Sequence, residues 1–203
     1  MQTILQVNAS LFGENSQSSR LAGEFVQTLH KLAGFGPGAS VIIRDLASQP
    51  VPHLTAERFQ AFGTPADRRT PEQQRVVAES DALIDELKRA DVIVIGLPMY
   101  NFGVPSTLKA YFDHVARAGV TFRYTAQGPE GLLKGKKAYV FATRGGRYAG
   151  TPADLQTAYV RQFLGFIGID DVEFVYAEGL AMGVEHRDAA LRKAEARIEQ
   201  LAA

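Results

Sequence analysis

The 203-residue sequence contains no cysteine, and its formal net charge is zero because 22 basic side chains balance 22 acidic ones. Without cysteine there are no disulfides, no thiolate metal ligands and no reactive thiol. Without net charge there is no overall field that attracts nucleic acid or anionic lipid. We therefore expect no nucleic-acid partner, and any redox chemistry needs a cofactor.

Long apolar runs and metal-binding motifs are also missing. No stretch approaches the roughly 20 apolar residues that span a bilayer, and Met1–Ser10 lacks the features of a signal peptide. The four histidines are scattered without ligand spacing and are expected to be structural or exposed: His30, His53, His114 and His186. The chain is expected to be cytoplasmic, with no membrane association and no metal.

Length and composition favour one globular unit. Apolar residues make up 46% and charged residues 22% of the chain, which is ordinary for a folded protein. We expect a single domain over residues 1–203, without linkers or internal repeats.

Five apolar runs predict strands and alternate with helical patterns. The predicted strands are Thr3–Val7, Ser40–Asp45, Asp91–Gly96, Lys137–Thr143 and Asp171–Ala177. Helical spacing begins near Leu21 and recurs over Pro71–Arg89, Ser106–Ala118, Leu155–Ile167 and Glu185–Leu201. This alternation predicts an α/β fold with a doubly wound, five-stranded parallel sheet and helices on both faces.

Two stretches are too long to be simple connections. Leu46–Thr70 and Gly119–Lys136 both carry aromatic residues and are predicted to be long ordered loops. Such loops usually serve a site or an interface, although flexible surface excursions are the alternative.

The loop after the first strand, Asn8–Arg20, is rich in hydroxyls and leads into a helix. Free N–H groups at a helix N-terminus, together with Ser16, Ser18 and Ser19, predict a phosphate cradle. The isolated Gly13 fits neither a dinucleotide loop nor a Walker loop, so we expect a phosphate monoester. The alternative is that these serines only cap the helix.

The loops after the third and fourth strands should lie at the same edge of the sheet. Leu97–Pro105 sets aromatic residues, a methionine and an amide between prolines, which suits contact with a flat heterocycle. Met99 and Phe102 could instead be core residues. In Thr143–Arg147 the paired glycines permit close approach of the backbone to a ligand, although an ordinary turn is the alternative.

Five segments of the sequence carry a family resemblance, which runs over nearly the whole chain. They are Ser16–Ser18, Pro98–Phe102, Phe112–Tyr124, Gly128–Gly131 and Phe163–Gly168. In these segments the chain resembles the FMN-dependent NADH:azoreductase and quinone reductase family of flavodoxin-like dimers. The resemblance implies a flavodoxin-like fold and bound FMN.

The resemblance also implies roles for three groups of residues. It assigns the FMN phosphate to Ser10, Ser16, Gln17 and Ser18, the isoalloxazine to Pro98, Met99, Tyr100, Asn101 and Phe102, and its pyrimidine edge to Thr143, Arg144, Gly145 and Gly146. Relatives often carry serine in place of Thr143, and Arg147 and Tyr148 have no familiar counterpart.

The implied activity is transfer of two electrons from NADH or NADPH through FMN to quinones and azo compounds. We expect a ping-pong scheme without a catalytic side chain, because the cofactor carries the chemistry. A flavodoxin-like electron carrier is the alternative. Carriers of that kind are strongly acidic and small, whereas this chain is neutral and has long aromatic loops.

The surplus of aromatic residues in loops predicts a homodimer whose interface borders the flavin. We expect the acceptor pocket to be walled by Phe59, Phe62, Phe122, Tyr124, Tyr148 and Phe163.

Overall fold

The computed structural model describes residues 2–31 and 39–202. In these ranges the strands are β1 (Thr3–Asn8), β2 (Ser40–Asp45), β3 (Val92–Pro98), β4 (Phe122–Thr125), β5 (Gly128–Gly131), β6 (Lys137–Arg144) and β7 (Asp171–Glu178). The α-helices are α1 (Gln17–Lys31), α2 (Ala56–Gly63), α3 (Pro71–Arg89), α4 (Ser106–Val115), α5 (Leu155–Ile167) and α6 (Val184–Ala202). Five strands form a parallel sheet in the order β2-β1-β3-β6-β7, which confirms the predicted fold.

Helices cover both faces of this sheet. Phe25 of α1 and Ile198 of α6 belong to the core on one face, whereas α3, α4 and α5 supply the core on the other. Every residue of the central strand β3 is buried, and alternate side chains enter opposite cores, Val94 on one side and Ile95 on the other. With both faces covered, a ligand site has to lie at the ends of the strands.

The strand order reverses at β1. The chain passes from β1 to β2 on one side, and β3 pairs with β1 on the other. In open α/β sheets the ligand crevice lies beyond the carboxyl ends of the strands at such a reversal. The loops after β1, β3 and β6 meet at this edge.

The predicted helix over Pro71–Arg89 has these same bounds as α3. The Thr70 side chain accepts from the Gln73 N–H, the Gln73 side chain accepts from the Thr70 N–H, and Pro71 occupies the first turn. This capping box, together with Pro71 in the first turn, defines the helix start in the structure.

The two stretches predicted as long loops contain secondary structure instead. Residues 46–70 include α2, which is capped by the Thr55 side chain, and residues 119–136 include the β4–β5 hairpin, in which Gly128 has a φ of 115°. An eight-residue helix and four-residue strands are too short to produce a clear periodicity.

The helix predicted over Ser106–Ala118 ends earlier, at Val115. The Thr121 hydroxyl accepts from the Arg117 N–H at 2.9 Å and donates to the Val115 carbonyl at 2.6 Å. This local contact replaces the next helical turn.

No helix within residues 2–31 and 39–202 is long and apolar enough to cross a membrane. The same ranges contain no group of three or more histidine, aspartate or glutamate residues arranged to hold a metal ion.

Candidate functional site

The three predicted loops form one cleft at the carboxyl edge of the sheet, and a fourth loop, after β7, contributes to it. The cleft is lined by Ser10, Phe12, Asn15, Ser16, Gln17, Pro98, Met99, Tyr100, Thr143, Arg144, Gly145 and Leu180. Nine of these residues were predicted from the sequence. Phe12, Asn15 and Leu180 were not, because no motif distinguishes them from other loop residues.

The β1 loop presents a helix N-terminus with serine hydroxyls. The Ser16 Oγ accepts from the Ser19 N–H at 3.2 Å and is hydrogen-bonded to the Ser18 Oγ at 3.0 Å. Ser18 is fully buried and supports Ser16 from behind, whereas Ser16 and Gln17 line the cleft. The first turn of α1 contains no acidic residue, so its positive dipole end is not neutralised.

A glycine in β3 allows the start of α1 to approach the sheet closely. A Cβ on Gly96 would lie 3.0 Å from the Ser18 carbonyl oxygen and 3.2 Å from the Ser19 nitrogen. Any larger residue would push the helix start away, because the atoms it meets belong to the backbone. Because it has no side chain, Gly96 allows the Ser16–Ser18 turn to pack directly against β3.

The loop after β3 is short and strained. Tyr100 and Gly103 exchange backbone hydrogen bonds of 3.2 and 3.0 Å, and between them Asn101 and Phe102 have φ values of 49° and 65°. Left-handed backbone is unusual for phenylalanine, and such strain concentrates at functional sites. The Phe102 side chain is nevertheless 54% exposed.

Two side chains hold this loop in place. The Tyr100 hydroxyl is hydrogen-bonded to the Ser10 Oγ at 3.2 Å and accepts from the Leu11 N–H, which ties the β3 loop to the β1 loop. From α5, the buried Gln156 Nε2 donates to the carbonyls of Pro98 and Gly103 at 2.8 and 3.1 Å. Sequence reasoning missed Gln156, since its partners lie more than fifty residues away in the chain.

Arg144 lines the cleft with its backbone, because its side chain points into the protein. The fully buried guanidinium donates to Asp154 at 2.7 Å and to Glu178 at 3.0 Å. Burial raises the pKa of Asp154, but the hydrogen bonds from Arg144 and Thr157 outweigh it, and the pKa lies below its ordinary value. Asp154 is therefore ionised at neutral pH and is matched by the Arg144 charge.

The two residues after the paired glycines lie in different surroundings. The Arg147 Nη2 lies 3.2 Å from the Nδ1 of His186, beside a separate cleft that Lys193 also lines. The Tyr148 ring meets the Phe102 ring edge to face at 5.7 Å. A Cβ on Gly146 would lie 2.7 Å from the Tyr148 hydroxyl oxygen, so this glycine makes room for the tyrosine.

None of the six predicted acceptor-pocket residues lines the cleft within the described part of one chain, and Tyr148 contacts the Phe102 ring instead. Phe59 and Tyr124 are 69% and 75% exposed on α2 and the hairpin. The other three pack against neighbours: Phe62 against His114 and Arg117, Phe122 against Phe166, and Phe163 against Phe112. Sequence reasoning could not separate exposed loop aromatics from those that pack beneath the loops.

A second, more apolar cleft adjoins the first at Asn101 and Phe102. It is also lined by His53, Gly103, Val104, Ser106, Lys109, Leu155, Gln156 and Tyr159. Leu155, at the start of α5, is 63% exposed there. Asn101 and Phe102 thus lie beside the hydroxyl-lined cleft rather than in it.

Comparison with known proteins places this architecture in a family. The model of a flavodoxin-like fold family matches residues 2–202. An FMN-dependent NADH:quinone oxidoreductase of Burkholderia lata is 57% identical over 198 residues, and another of Cellvibrio japonicus is 54% identical over 200 residues, with 98% of both chains covered in each case.

Solved structures agree. An azoreductase from Bacillus anthracis superposes with a TM-score of 0.88 at 27% identity, covering 100% of this chain and 99% of that one. An FMN-dependent NADH-azoreductase from the same species, in complex with FMN, gives 0.87 at 28% identity, with 100% of both chains covered. The resemblance seen in the sequence is confirmed, and this chain belongs to the family of FMN-dependent NADH:quinone oxidoreductases and azoreductases with the flavodoxin-like fold.

Proposed function

We propose that this chain is a single-domain FMN-dependent NADH:quinone oxidoreductase that also accepts azo compounds. One observation carries the proposal: a hydroxyl-lined helix N-terminus and two backbone-rich loops form one cleft at the β1–β3 reversal. The names of its relatives, which are quinone oxidoreductases and azoreductases that depend on FMN and NADH, support it.

The cleft suits a phosphate monoester at one end. Ser10 and Ser16 offer hydroxyls, α1 offers its unneutralised N-terminus, and Ser18 and Gln17 complete the donor set. No side chain in the first turn of α1 repels an anion. These residues would hold the FMN phosphate.

The rest of the cleft suits a flat ring. We assign the ring face to Pro98, Met99 and Tyr100 in the cleft, with Asn101 and Phe102 beside it, and the pyrimidine edge to Thr143, Arg144 and Gly145 in the cleft, with Gly146 next to them in the chain. When bound, FMN takes up two electrons from the nicotinamide and passes them to the acceptor. The protein's part is to orient the ring and offer backbone donors, with no side chain acting as an obligatory acid or base.

The proposed activity is tested by steady-state turnover of the purified protein with FMN, NADH and a benzoquinone. We expect NADH oxidation that depends on both FMN and the quinone. A protein that binds FMN but turns over only with an added reductase would be an electron carrier. Substituting NADPH for NADH in the same assay measures the donor preference.

The order of binding is a second prediction. On bound FMN, a nicotinamide and a flat quinone would both stack on the same ring face, so the oxidised nicotinamide would have to leave before the quinone enters. Double-reciprocal plots at several fixed quinone concentrations are expected to be parallel. Intersecting lines, together with a ternary complex trapped by a non-reducible nicotinamide analogue, would show that the two have separate sites.

We further propose a homodimer that completes the acceptor pocket. Phe59, Phe102 and Tyr124 expose 69%, 54% and 75% of their surface in the single chain, and the apolar cleft at Leu155 adjoins the proposed FMN site. Sedimentation velocity at micromolar concentration is expected to give one dimeric species. A fully active monomer under these conditions would contradict the shared pocket.

A further inference from the structure

At the end of β6, three consecutive carbonyl groups are fixed by hydrogen bonds from the segment that follows β7. The N–H groups of Leu180, Ala181 and Gly179 donate to the carbonyls of Arg144, Gly145 and Gly146 at 3.1, 3.0 and 2.9 Å. The described chain has no cis peptide bond. In a trans peptide the N–H points opposite to the carbonyl, so the three following N–H groups are directed away from the segment 179–181.

These three N–H groups, of Gly145, Gly146 and Arg147, donate to no residue in the described ranges. They are consecutive, and the residue of the first, Gly145, lines the cleft together with Arg144 and Leu180. Consecutive backbone donors without protein partners form an anion-binding arrangement if their geometry is held. The next two N–H groups, of Tyr148 and Ala149, do have a protein acceptor.

The N–H groups of Tyr148 and Ala149 both donate to one carboxylate oxygen, the Oε1 of Glu178, at 2.8 and 2.9 Å. The same oxygen accepts from the Arg144 Nη1 at 3.0 Å. Only 16% of the Glu178 side chain is exposed. This single oxygen therefore joins both ends of the segment 144–149.

Arg144 holds the Glu178 side chain in place. Its fully buried guanidinium also donates to Asp154, which caps α5 through the Thr157 N–H. Removing either carboxylate leaves a buried guanidinium with one carboxylate and the Thr157 hydroxyl as its hydrogen-bond partners. Glu178 is thus anchored to α5 through Arg144 and to the loop through two amides.

From this arrangement we infer that Glu178 is a positioning residue for the proposed reaction: it presets the N–H groups of Gly145, Gly146 and Arg147 as donors to the pyrimidine edge of FMN. The inference rests on the proposed FMN site. Preset donors stabilise negative charge that appears on reduction, and they need no rearrangement when it does. Glu178 itself does not line the hydroxyl-lined cleft, and its Oε1 accepts from the loop amides.

Three replacements separate anchoring from charge. Glu178→Gln removes the charge but retains an oxygen that accepts from the two amides, Glu178→Ala removes both, and Glu178→Asp retains the charge on a side chain too short to reach. We expect the alanine and aspartate variants to bind FMN about tenfold more weakly than wild type, on the order of one or two lost hydrogen bonds, and the glutamine variant to stay within about threefold. Glu173→Ala, which removes a more exposed carboxylate of β7, is the control and should match wild type.

The midpoint potential of bound FMN is the decisive readout. If Glu178 positions the donors, the alanine variant has a more negative potential than the glutamine variant, although both lack the charge. Equal potentials and equal FMN affinities in these two variants would overturn the inference, whether both match wild type or both fall. A loss of folding stability alone would not produce a difference between the potentials of the alanine and glutamine variants. The aspartate variant decides the question if the alanine variant does not fold.

Hydrogen exchange in the protein without FMN tests the anchoring by itself. The amides of Tyr148, Ala149 and Gly179–Ala181 should be protected in wild type and in Glu178→Gln, and should exchange faster in Glu178→Ala. Unchanged protection in Glu178→Ala would overturn the anchoring role. Failure of the wild-type protein to bind FMN would instead overturn the proposed function, so the two failures are distinguishable.

Discussion

Replacing Ser16 and Ser18 together by alanine is expected to weaken FMN binding at least about tenfold while the protein remains folded. Each hydrogen bond to a charged phosphate contributes about 1.5 to 3 kcal/mol, and about 1.4 kcal/mol corresponds to a tenfold change in affinity. The loss of the Ser16 cap on α1 adds a stability cost on the order of 1 kcal/mol, which thermal unfolding would detect. Quenching of flavin fluorescence in titrations of the cofactor-free protein measures the dissociation constant.

The single variants and a neighbouring serine refine this test. Ser16 lines the cleft and Ser18 is fully buried behind it, so Ser16→Ala should have the larger effect. Ser19→Ala, which changes a serine of the same helical turn that does not line the cleft, should leave the affinity unchanged. Full retention of FMN by the double variant would mean that the phosphate binds elsewhere.

Replacing Gly131 by alanine is expected to lower the free energy of unfolding by about 3 kcal/mol, at the upper end of the usual cost of overpacking. A Cβ there would lie 2.0 Å from the Gly168 nitrogen and 2.3 Å from the Ile167 carbonyl carbon. Both are backbone atoms at the end of α5, where Gly168 has a φ of 102°, so neither can turn aside as a side chain does. The hairpin would have to separate from α5.

Urea unfolding of both variants measures this difference. Gly63→Ala is the matched control, because a Cβ on Gly63 meets no atom within 4 Å, and its stability should equal wild type or exceed it slightly. The hairpin does not line the cleft, so folded Gly131→Ala should still bind FMN. Equal stability of Gly131→Ala and wild type would mean that the hairpin does not pack on α5 in this way.

The fold was predictable wherever local signals were strong. The apolar run of β3 and the helical spacing of α3 identify their elements from neighbouring residues alone. The three loops of the cleft were predictable because parallel strands bring their carboxyl ends to one edge of the sheet. Ser16, Met99 and Gly145 follow from that rule and from residue chemistry.

What was not predictable depends on contacts between distant parts of the chain. Nothing around Arg144 indicates that its side chain turns inward, since its partners Asp154 and Glu178 lie 10 and 34 residues later. Gln156 was missed for the same reason. In the sequence, Phe122 and Phe163 do not differ from aromatic residues that are exposed on a loop or a helix. Only tertiary packing shows that they contact Phe166 and Phe112.

The cleft draws its lining from positions between Ser10 and Leu180, nearly the whole length of the chain. A fragment that ends before β7 therefore lacks part of the wall, and the donors after β6 lose the segment that fixes their carbonyls. A ligand of this cleft selects the complete native chain over any partly folded form. By mass action, a higher concentration of such a ligand increases the resistance of the protein to unfolding and to proteolysis of the unfolded form.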